Sequence, residues 1–174
     1  MGHVVWTLDE VKKAVPDQEV YWLSDCGCRK SAEKPCKTTV RVCLGFKEGL
    51  TSSQSNLGKI DRREVNRLLA LAKSEKLVPR PWVNEKGAVE ALCFCCSCCC
   101  SYLHGAPDCV NVAGPSEEAT DETLCSSCGA CGELCYFGAR KISGGKLKVD
   151  KSKCYGCGLC VDACPAGAVK MKPR

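Results

Sequence analysis

The chain has 174 residues, of which 19 are cysteines and only 6% are aromatic, and its formal net charge is +5. A chain this short and this poor in aromatic side chains cannot supply one large apolar core, so we expect two small domains. Such a cysteine content predicts either a disulfide scaffold or metal centres. The N-terminus lacks the basic head and apolar run of a signal peptide, which favours the cytoplasm and therefore metal. No stretch has the roughly 18 consecutive apolar residues of a membrane span.

The N-terminal region predicts a short helix followed by a strand. Residues 7–15 have helical apolar spacing, and Thr7 with Glu10 forms a T-x-x-E capping box at their start. Pro16 ends this helix. The β-branched and aromatic residues in 19–23 then favour a strand.

A second helix is predicted over residues 61–76. Asp61 and Glu64 form its capping box, and an apolar stripe indicates that one face packs on a core. The stripe consists of Val65, Leu68, Leu69 and Ala72. Residues 77–83 are expected to turn the chain back, and 88–94 to form a strand.

Eleven cysteines precede the C-terminal third of the chain, and ten of them are candidate metal ligands. These are Cys26, Cys28, Cys36, Cys43, Cys93, Cys95, Cys96, Cys98, Cys99 and Cys100. Arg29 is placed to donate a hydrogen bond to a thiolate or a cluster sulfur. If the strand continues to Cys96, alternation puts Cys93 and Cys95 on one face and Cys96 on the other.

These ten thiols exceed the needs of one four-ligand site. We expect at least one further iron-sulfur centre in residues 20–110, either as two separate centres or as one larger cluster. Zinc stays an alternative, because CxC and CxxC pairs from separate segments also form closed tetrahedral sites. The eleventh cysteine, Cys109, lies at the edge of a segment rich in Gly, Pro, Ser and acidic residues.

That segment suggests the domain organisation. Pro and Gly with polar residues are typical of a linker. We expect a cysteine-rich α+β domain over 1–112, a linker over 113–120 and a second domain over 121–174.

The second domain contains a duplicated cysteine run with the spacing C-x2-C-x2-C-x3-C. Cys154 follows Cys125 by 29 residues, and the other three pairs keep the same interval. Three thiolates at this spacing can hold one face of an iron-sulfur cube, while the fourth ligates the neighbouring cube. The first predicted ligand set is Cys125, Cys128, Cys131 and Cys164. The second is Cys154, Cys157, Cys160 and Cys135.

Zinc also accepts four thiolates, but two interleaved three-plus-one runs are not typical of a zinc site. Two [4Fe-4S] centres with their thiolates each carry about −2, which brings the net charge to roughly +1. The basic residues are then better interpreted as counter-charge and a docking surface than as a nucleic-acid interface.

Residues 121–172 resemble a bacterial-type dicluster ferredoxin. The resemblance rests on the two cysteine runs, on Pro165 after the last cysteine, and on glycine and alanine residues that recur at equivalent positions of the two halves. It implies a pseudo-twofold βαββαβ-like module. Tyr136 departs from it, because the family usually has proline there. With the CxCR and CxCCxCCC segments included, the whole chain is similar to ferredoxin-like 4Fe-4S binding proteins of anaerobes.

The predicted function is outer-sphere transfer of single electrons between partner proteins. We find no catalytic triad, no phosphate-binding loop and no dinucleotide fingerprint, and His3 and His104 are expected to be structural or solvated. Two alternatives stay open. One is a redox-sensing regulator that uses residues 61–94 as part of a DNA-binding fold, and the other is an electron-delivering subunit of a larger oxidoreductase complex.

Overall fold

The computed structural model describes residues 3–34, 36–106 and 109–174. Helices and strands alternate irregularly in both halves, and the sheets are small, so the chain is of the α+β class. The elements of the N-terminal half are β1 (His3–Val4), α1 (Leu8–Ala14), β2 (Tyr21–Asp25), α2 (Gly27–Lys30), β3 (Arg41–Gly45), β4 (Gly58–Ile60), α3 (Arg62–Ser74), β5 (Val78–Val83), β6 (Val89–Cys95) and β7 (Asn111–Val112).

The N-terminal half is built on an antiparallel five-stranded sheet in the order β4-β2-β3-β6-β5. Helices α1 and α3 contribute their buried side chains to the same core as this sheet. Both predicted helices are confirmed, and both have the expected capping box, with Thr7 and Asp61 as the N-cap residues. The predicted apolar stripe of α3 is buried along its whole length.

Alternation along β3 and β6 divides the apolar residues from the cysteines. Leu44, Leu92 and Phe94 belong to the core formed with the helices. Cys43 and Cys93 occupy the intervening positions and line a cavity instead. Because successive side chains of a strand point to opposite faces, one face of the sheet is apolar and the other carries thiols.

Residues 77–83 were expected only to turn the chain back, but they contain β5. Pro79 and Pro81 lie inside this strand, which is at the edge of the sheet. Proline cannot donate to a ladder and is therefore tolerated in edge strands. The strand expected at 19–23 begins two residues later, at Tyr21.

The C-terminal half contains a second set of short elements. These are β8 (Ser116–Thr120), α4 (Ala130–Glu133), β9 (Arg140–Ser143), β10 (Lys146–Val149), a 3-10 helix (Lys151–Lys153), α5 (Leu159–Ala163) and β11 (Val169–Pro173). Strand β8 pairs antiparallel with β11, and β9 pairs antiparallel with β10. The β9–β10 turn consists of Gly144 and Gly145, with φ of 59° and 71°, the left-handed values that a two-residue hairpin turn requires.

Part of the segment expected to be a linker is a strand. Within β8, Glu118 is buried with a relative exposure of 1%. Glu117 faces Lys172 of β11 across the ladder and forms an ion pair with it at 3.2 Å. Opposite charges on paired strands stabilise this sheet, although the same acidic residues read in isolation suggest a linker.

The two halves share a second, smaller core. Its buried members are Val5, Val78, Cys95, Cys100 and Leu159. Tyr136, Phe137, Tyr155 and Cys157 of the C-terminal half pack against it. The cysteine-bearing side of the N-terminal half therefore contacts the C-terminal half directly. In the described ranges, none of the helices has the length and apolar character needed to cross a bilayer.

Candidate metal centres

The duplication seen in the sequence is repeated in the backbone. Gly129 and Gly158 both have left-handed φ, of 88° and 80°, and each precedes a short helix. Ser127 and Gly156, two positions earlier, also have positive φ, of 54° and 86°. This repeated loop turns the backbone around the cysteines of each run.

A first C-terminal cavity, of about 310 Å³ including its opening, is lined by four cysteines. These are Cys125, Cys128, Cys131 and Cys164. The first three come from the loop before α4 and from α4 itself, whereas Cys164 follows α5. The backbone N–H of Ala168 donates to the Cys164 Sγ at 3.3 Å, a type of contact that orients and tunes a metal-bound thiolate.

A second C-terminal cavity, of about 360 Å³ including its opening, is lined by the other four cysteines of the duplicated runs. These are Cys135, Cys154, Cys157 and Cys160. Burial raises the pKa of Cys157 to about 12 and that of Cys160 to about 11. Deprotonating thiols in such surroundings requires nearby positive charge, which bound metal supplies.

Arg140 lines both C-terminal cavities. Its guanidinium is buried and donates to the carboxylate of Glu118. Burial alone would lower the pKa of Arg140, but the thiols of Cys131 and Cys160, together with Glu118, raise it above its usual value. The Nε atom of Arg140 has no hydrogen-bond partner among the described atoms. A fixed cation with an unpaired N–H, placed between two sets of thiols, fits anionic clusters in these cavities.

A third cavity lies on the thiol face of the N-terminal sheet and, at about 790 Å³ including its opening, is larger than the other two. Seven of the ten N-terminal candidate ligands line it: Cys26, Cys28, Cys43, Cys93, Cys95, Cys96 and Cys100. The backbone N–H of Ser52 donates to the Cys43 Sγ at 2.9 Å. A hydrogen bond from Cys93 and the contacts with Ser52 lower the pKa of Cys43 to about 6, against the effect of burial.

Two buried arginines lie at or beside this third cavity: Arg29 lines it, and Arg80 is the ladder partner of Cys93 in its wall. Arg29, which sequence reasoning singled out, donates to the Cys96 Sγ at 3.4 Å and to the carbonyl of Phe94 at 2.8 Å. Arg80, directly opposite Cys93 in the ladder, is fully buried, and its Nε and Nη1 have no partner in the described part of the chain. The seven thiols of the lining and the orphaned N–H groups of the neighbouring Arg80 fit an anionic iron-sulfur cluster.

His3 also lines the third cavity. Its ring stacks on Tyr102 with centroids 4.1 Å apart and meets Trp82 edge-on. Burial and the neighbouring Arg80 lower its pKa.

The remaining N-terminal ligands form a compact group with Cys96. The Sγ atoms of Cys36, Cys96, Cys98 and Cys99 all lie within 4.8 Å of one another. Cys109, the eleventh cysteine, belongs neither to this group nor to the lining of the third cavity. The ten candidates therefore fall into two neighbouring groups that share Cys96.

Sequence reasoning missed Arg140, Glu118 and Arg80. A signal for Arg140 was present, because the residue 29 positions later in the duplication is Val169. A charged residue that replaces an apolar one between otherwise matching repeats marks a position with a distinct role. Arg80 had no such signal, because a lone arginine between two prolines reads as a solvated turn residue.

The family of the 4Fe-4S binding domain matches residues 147–170, which include the whole second cysteine run. No curated protein matches the chain. Together with the thiol-lined cavities, the match supports an iron-sulfur protein of the general electron-transfer kind. It extends over neither the first run nor the N-terminal half.

Proposed function

We propose that this protein carries single electrons between redox partner proteins through two [4Fe-4S] clusters in its C-terminal half. The ligands are Cys125, Cys128, Cys131 and Cys164 for one cluster, and Cys154, Cys157, Cys160 and Cys135 for the other. A bound [4Fe-4S] cluster supplies reversible one-electron chemistry at a potential set by its protein surroundings.

The observation that carries this proposal is the exchange of the fourth cysteine between the runs. Cys164 lines the cavity of the first run, and Cys135 lines the cavity of the second. Four thiols per cavity match the ligand requirement of a cube, and the exchange holds the two cavities side by side with Arg140 between them. A zinc ion would need the four sulfurs of a set to lie close to one another. Among the described residues, neither C-terminal set has all its Sγ atoms within 4.8 Å of one another.

The same arrangement supports a dicluster ferredoxin-like module as the fold of the C-terminal half. The order β8-α4-β9-β10-α5-β11 has the βαββαβ form, with matched loops at Gly129 and Gly158. We retain a division into a cysteine-rich unit over 1–112 and a ferredoxin-like unit over 121–174. Strand β8 belongs with the second unit, because its only ladder partner among the described residues is β11.

We also propose a third iron-sulfur centre in the N-terminal cavity. Six of its thiols, those of Cys26, Cys28, Cys43, Cys93, Cys95 and Cys100, belong to no compact group among the described residues and surround the largest of the three spaces. Cys95 and Cys100 belong to the core that Tyr155 and Cys157 of the second C-terminal cavity pack against. The N-terminal centre would therefore lie next to the second cluster and extend the path for electrons.

The regulator alternative receives less support. On α3, Arg62 donates to the Tyr21 hydroxyl at 2.9 Å and to the carbonyl of Pro16 at 3.1 Å. Arg63 pairs with Asp61 at 3.1 Å. A recognition helix needs its basic side chains free for phosphates and base edges, and these two are engaged within the chain.

The partners we propose are redox proteins that approach the exposed edge of the first cluster. Lys146, Lys148 and Lys151 line an open groove next to Cys125. Such a groove favours an acidic docking surface and makes association sensitive to salt. All 19 cysteines are unpaired thiols, which is consistent with the reducing environment of a cytoplasm. This groove suits a free redox protein and a larger complex of which this chain is a subunit alike.

The test uses the full chain purified without oxygen. We expect at least about eight irons per chain with equal sulfide, four for each C-terminal set. Reduction by a low-potential donor should give the EPR spectrum of two interacting clusters, and reoxidation by an acceptor protein should restore the starting state. Stoichiometric zinc with little iron would refute the proposal. DNA binding that is sequence-selective and switches with the redox state would favour the regulator instead.

A further inference from the structure

The compact group of Cys36, Cys96, Cys98 and Cys99 differs from every other set of thiols in the described residues. Neighbouring Sγ atoms in it are 3.7 Å apart for Cys36 and Cys96, and 3.6 Å apart for Cys36 and Cys98. Cys98 and Cys99 are 3.5 Å apart. It is the one group of three or more candidate ligands, within the ranges described, whose ligand atoms are mutually within 4.8 Å.

These separations match a single tetrahedral ion. Zinc binds thiolate sulfur at about 2.3 Å, so tetrahedral geometry places the sulfurs about 3.8 Å apart. Around an iron-sulfur cube the thiolates are attached to different irons and stand further apart. The eight C-terminal cysteines provide an internal comparison, because neither of their sets is compact in this way.

From this geometry we infer that Cys36, Cys96, Cys98 and Cys99 bind one Zn²⁺ ion in a closed, structural site. A mononuclear tetrathiolate site suits zinc or iron, and Zn²⁺ stands above Fe²⁺ in the affinity order of divalent ions. Four protein ligands leave no open position, which is the property of a structural site. Zinc does not change its oxidation state, so this site would have a structural role, whereas the proposed clusters transfer electrons.

The surroundings of the group fit a zinc-thiolate centre. Arg29 donates to Cys96 at 3.4 Å, and the hydroxyl of Thr38 lies 3.2 Å from the Cys36 Sγ. Four thiolates and Zn²⁺ sum to a charge of −2, and donors of this kind stabilise the excess charge on sulfur.

The site cross-links two segments that enclose the third cavity. Cys36 lies between α2 and β3, and Cys96 lies 60 residues later, directly after β6. Cys96 and its hydrogen-bond donor Arg29 both line that cavity. By fixing the loop from Cys96 to Cys100 against the α2 side, zinc would hold the wall of the neighbouring centre in place.

The experiment measures zinc and iron separately on the full chain, purified without oxygen and without added metal. We expect about one zinc per chain, and zinc K-edge EXAFS with four sulfurs at about 2.3 Å. Cys36→Ser and Cys99→Ser should lower the zinc content at least about tenfold and leave the irons of the two C-terminal clusters, about eight per chain, in place. Neither of these residues lines the third cavity, whereas Cys96 does and is therefore unsuitable.

Cys109→Ser is the matched control, since it removes a thiol of the same region outside the group, and zinc and iron should both stay at wild-type values.

Less than stoichiometric zinc, zinc bound through nitrogen or oxygen, or a lone tetrathiolate iron seen by Mössbauer spectroscopy would overturn the proposal. So would loss of several irons in Cys36→Ser with zinc retained. If a variant does not fold, the EXAFS spectrum of the wild-type protein still decides. Because zinc and iron are counted independently, failure here is distinct from failure of the electron-transfer proposal.

Discussion

Arg140 and Glu118 form an ion pair in which both side chains have 2% relative exposure, at the point where the two C-terminal cavities meet. Thr120 donates to the same Glu118 oxygen at 2.6 Å and receives a hydrogen bond from Arg140 at 3.0 Å. Burial alone would raise the pKa of Glu118, but its hydrogen bonds from Lys151, Thr120 and Arg140 lower it. The pair is thus fully ionised and joins strand β8 to β9.

Arg140→Met should destabilise the protein by up to about 3–5 kcal/mol, because it leaves the buried Glu118 carboxylate with only Thr120 and the half-exposed Lys151 as partners. The double variant Arg140→Met with Glu118→Gln should recover most of this loss, since no uncompensated charge is then left. Chemical denaturation followed by the visible absorbance of the clusters measures the difference. Lys141→Met on the same strand is the control, because Lys141 is exposed and should change stability little.

The same substitution tests the electrostatic role of Arg140. A fixed positive charge favours the reduced, more negative state of a neighbouring cluster, so its removal should lower the reduction potential. We expect a negative shift in Arg140→Met, measured by voltammetry on the folded protein, and a smaller shift in the double variant, which also loses the negative charge of Glu118. An unchanged potential would show that Arg140 contributes only to the structure.

The exchanged ligands can be tested with pairs of alanine variants. Cys125→Ala and Cys164→Ala should each damage the same cluster, although one residue precedes α4 and the other follows α5. The double variant Cys125→Ala with Cys164→Ala should then lose only one EPR signal, because both residues serve one site. Cys125→Ala with Cys135→Ala should lose both signals, because these two residues serve different sites although they belong to one run. The reverse pattern would mean that each run holds its own cluster.

Several of these features could be predicted from the sequence, and others could not. Capped helices and strand alternation depend on nearest neighbours, so α1, α3 and the shared face of Cys93 and Cys95 were predictable. Strand β5 was not, because its prolines are compatible with a strand only at an edge, and edge position depends on tertiary structure.

Dependence on tertiary structure also explains why the division of the N-terminal cysteines into cavity thiols and a compact group could not be predicted. Cys36 comes next to Cys96 only through the folding of the segments between them, over 60 residues. Spacing within the run from Cys93 to Cys100 gives no information on which thiols face the cavity and which meet Cys36. Compact and open sulfur sets become distinguishable only when the distances between the Sγ atoms are known.

Gly156→Ala should weaken the second cluster selectively. The residue has φ of 86°, and an added Cβ would lie 2.1 Å from the carbonyl oxygen of Ser116. The left-handed backbone alone costs about 1–2 kcal/mol for a residue with a side chain, and the clash with β8 adds to it. Iron release on mild heating, followed for each EPR signal, measures the effect. Ser127→Gly, at the equivalent position of the first run, is the control and should leave the first cluster at least as stable.

Tyr136 offers a test of the contact between the two halves. It stands where dicluster ferredoxins usually have proline, and it packs against the core that contains Cys95 and Cys100. The side chain of Ser97 interacts with its hydroxyl, although burial has the larger effect and raises the pKa of Tyr136. Tyr136 therefore lies at the contact between the two halves of the chain.

Tyr136→Ala should cost about 1–2 kcal/mol, because a half-buried aromatic ring loses its apolar contacts. Hydrogen exchange should become faster in residues 95–100 and 155–157, on both sides of the shared core, while β9 and β10 keep wild-type protection. Tyr136→Phe keeps the ring and removes only the hydroxyl, so it separates packing from the contact with Ser97. If Tyr136→Ala left exchange at 95–100 unchanged, the two halves would be independent and the proposed adjacency of the N-terminal centre to the second cluster would lose its support.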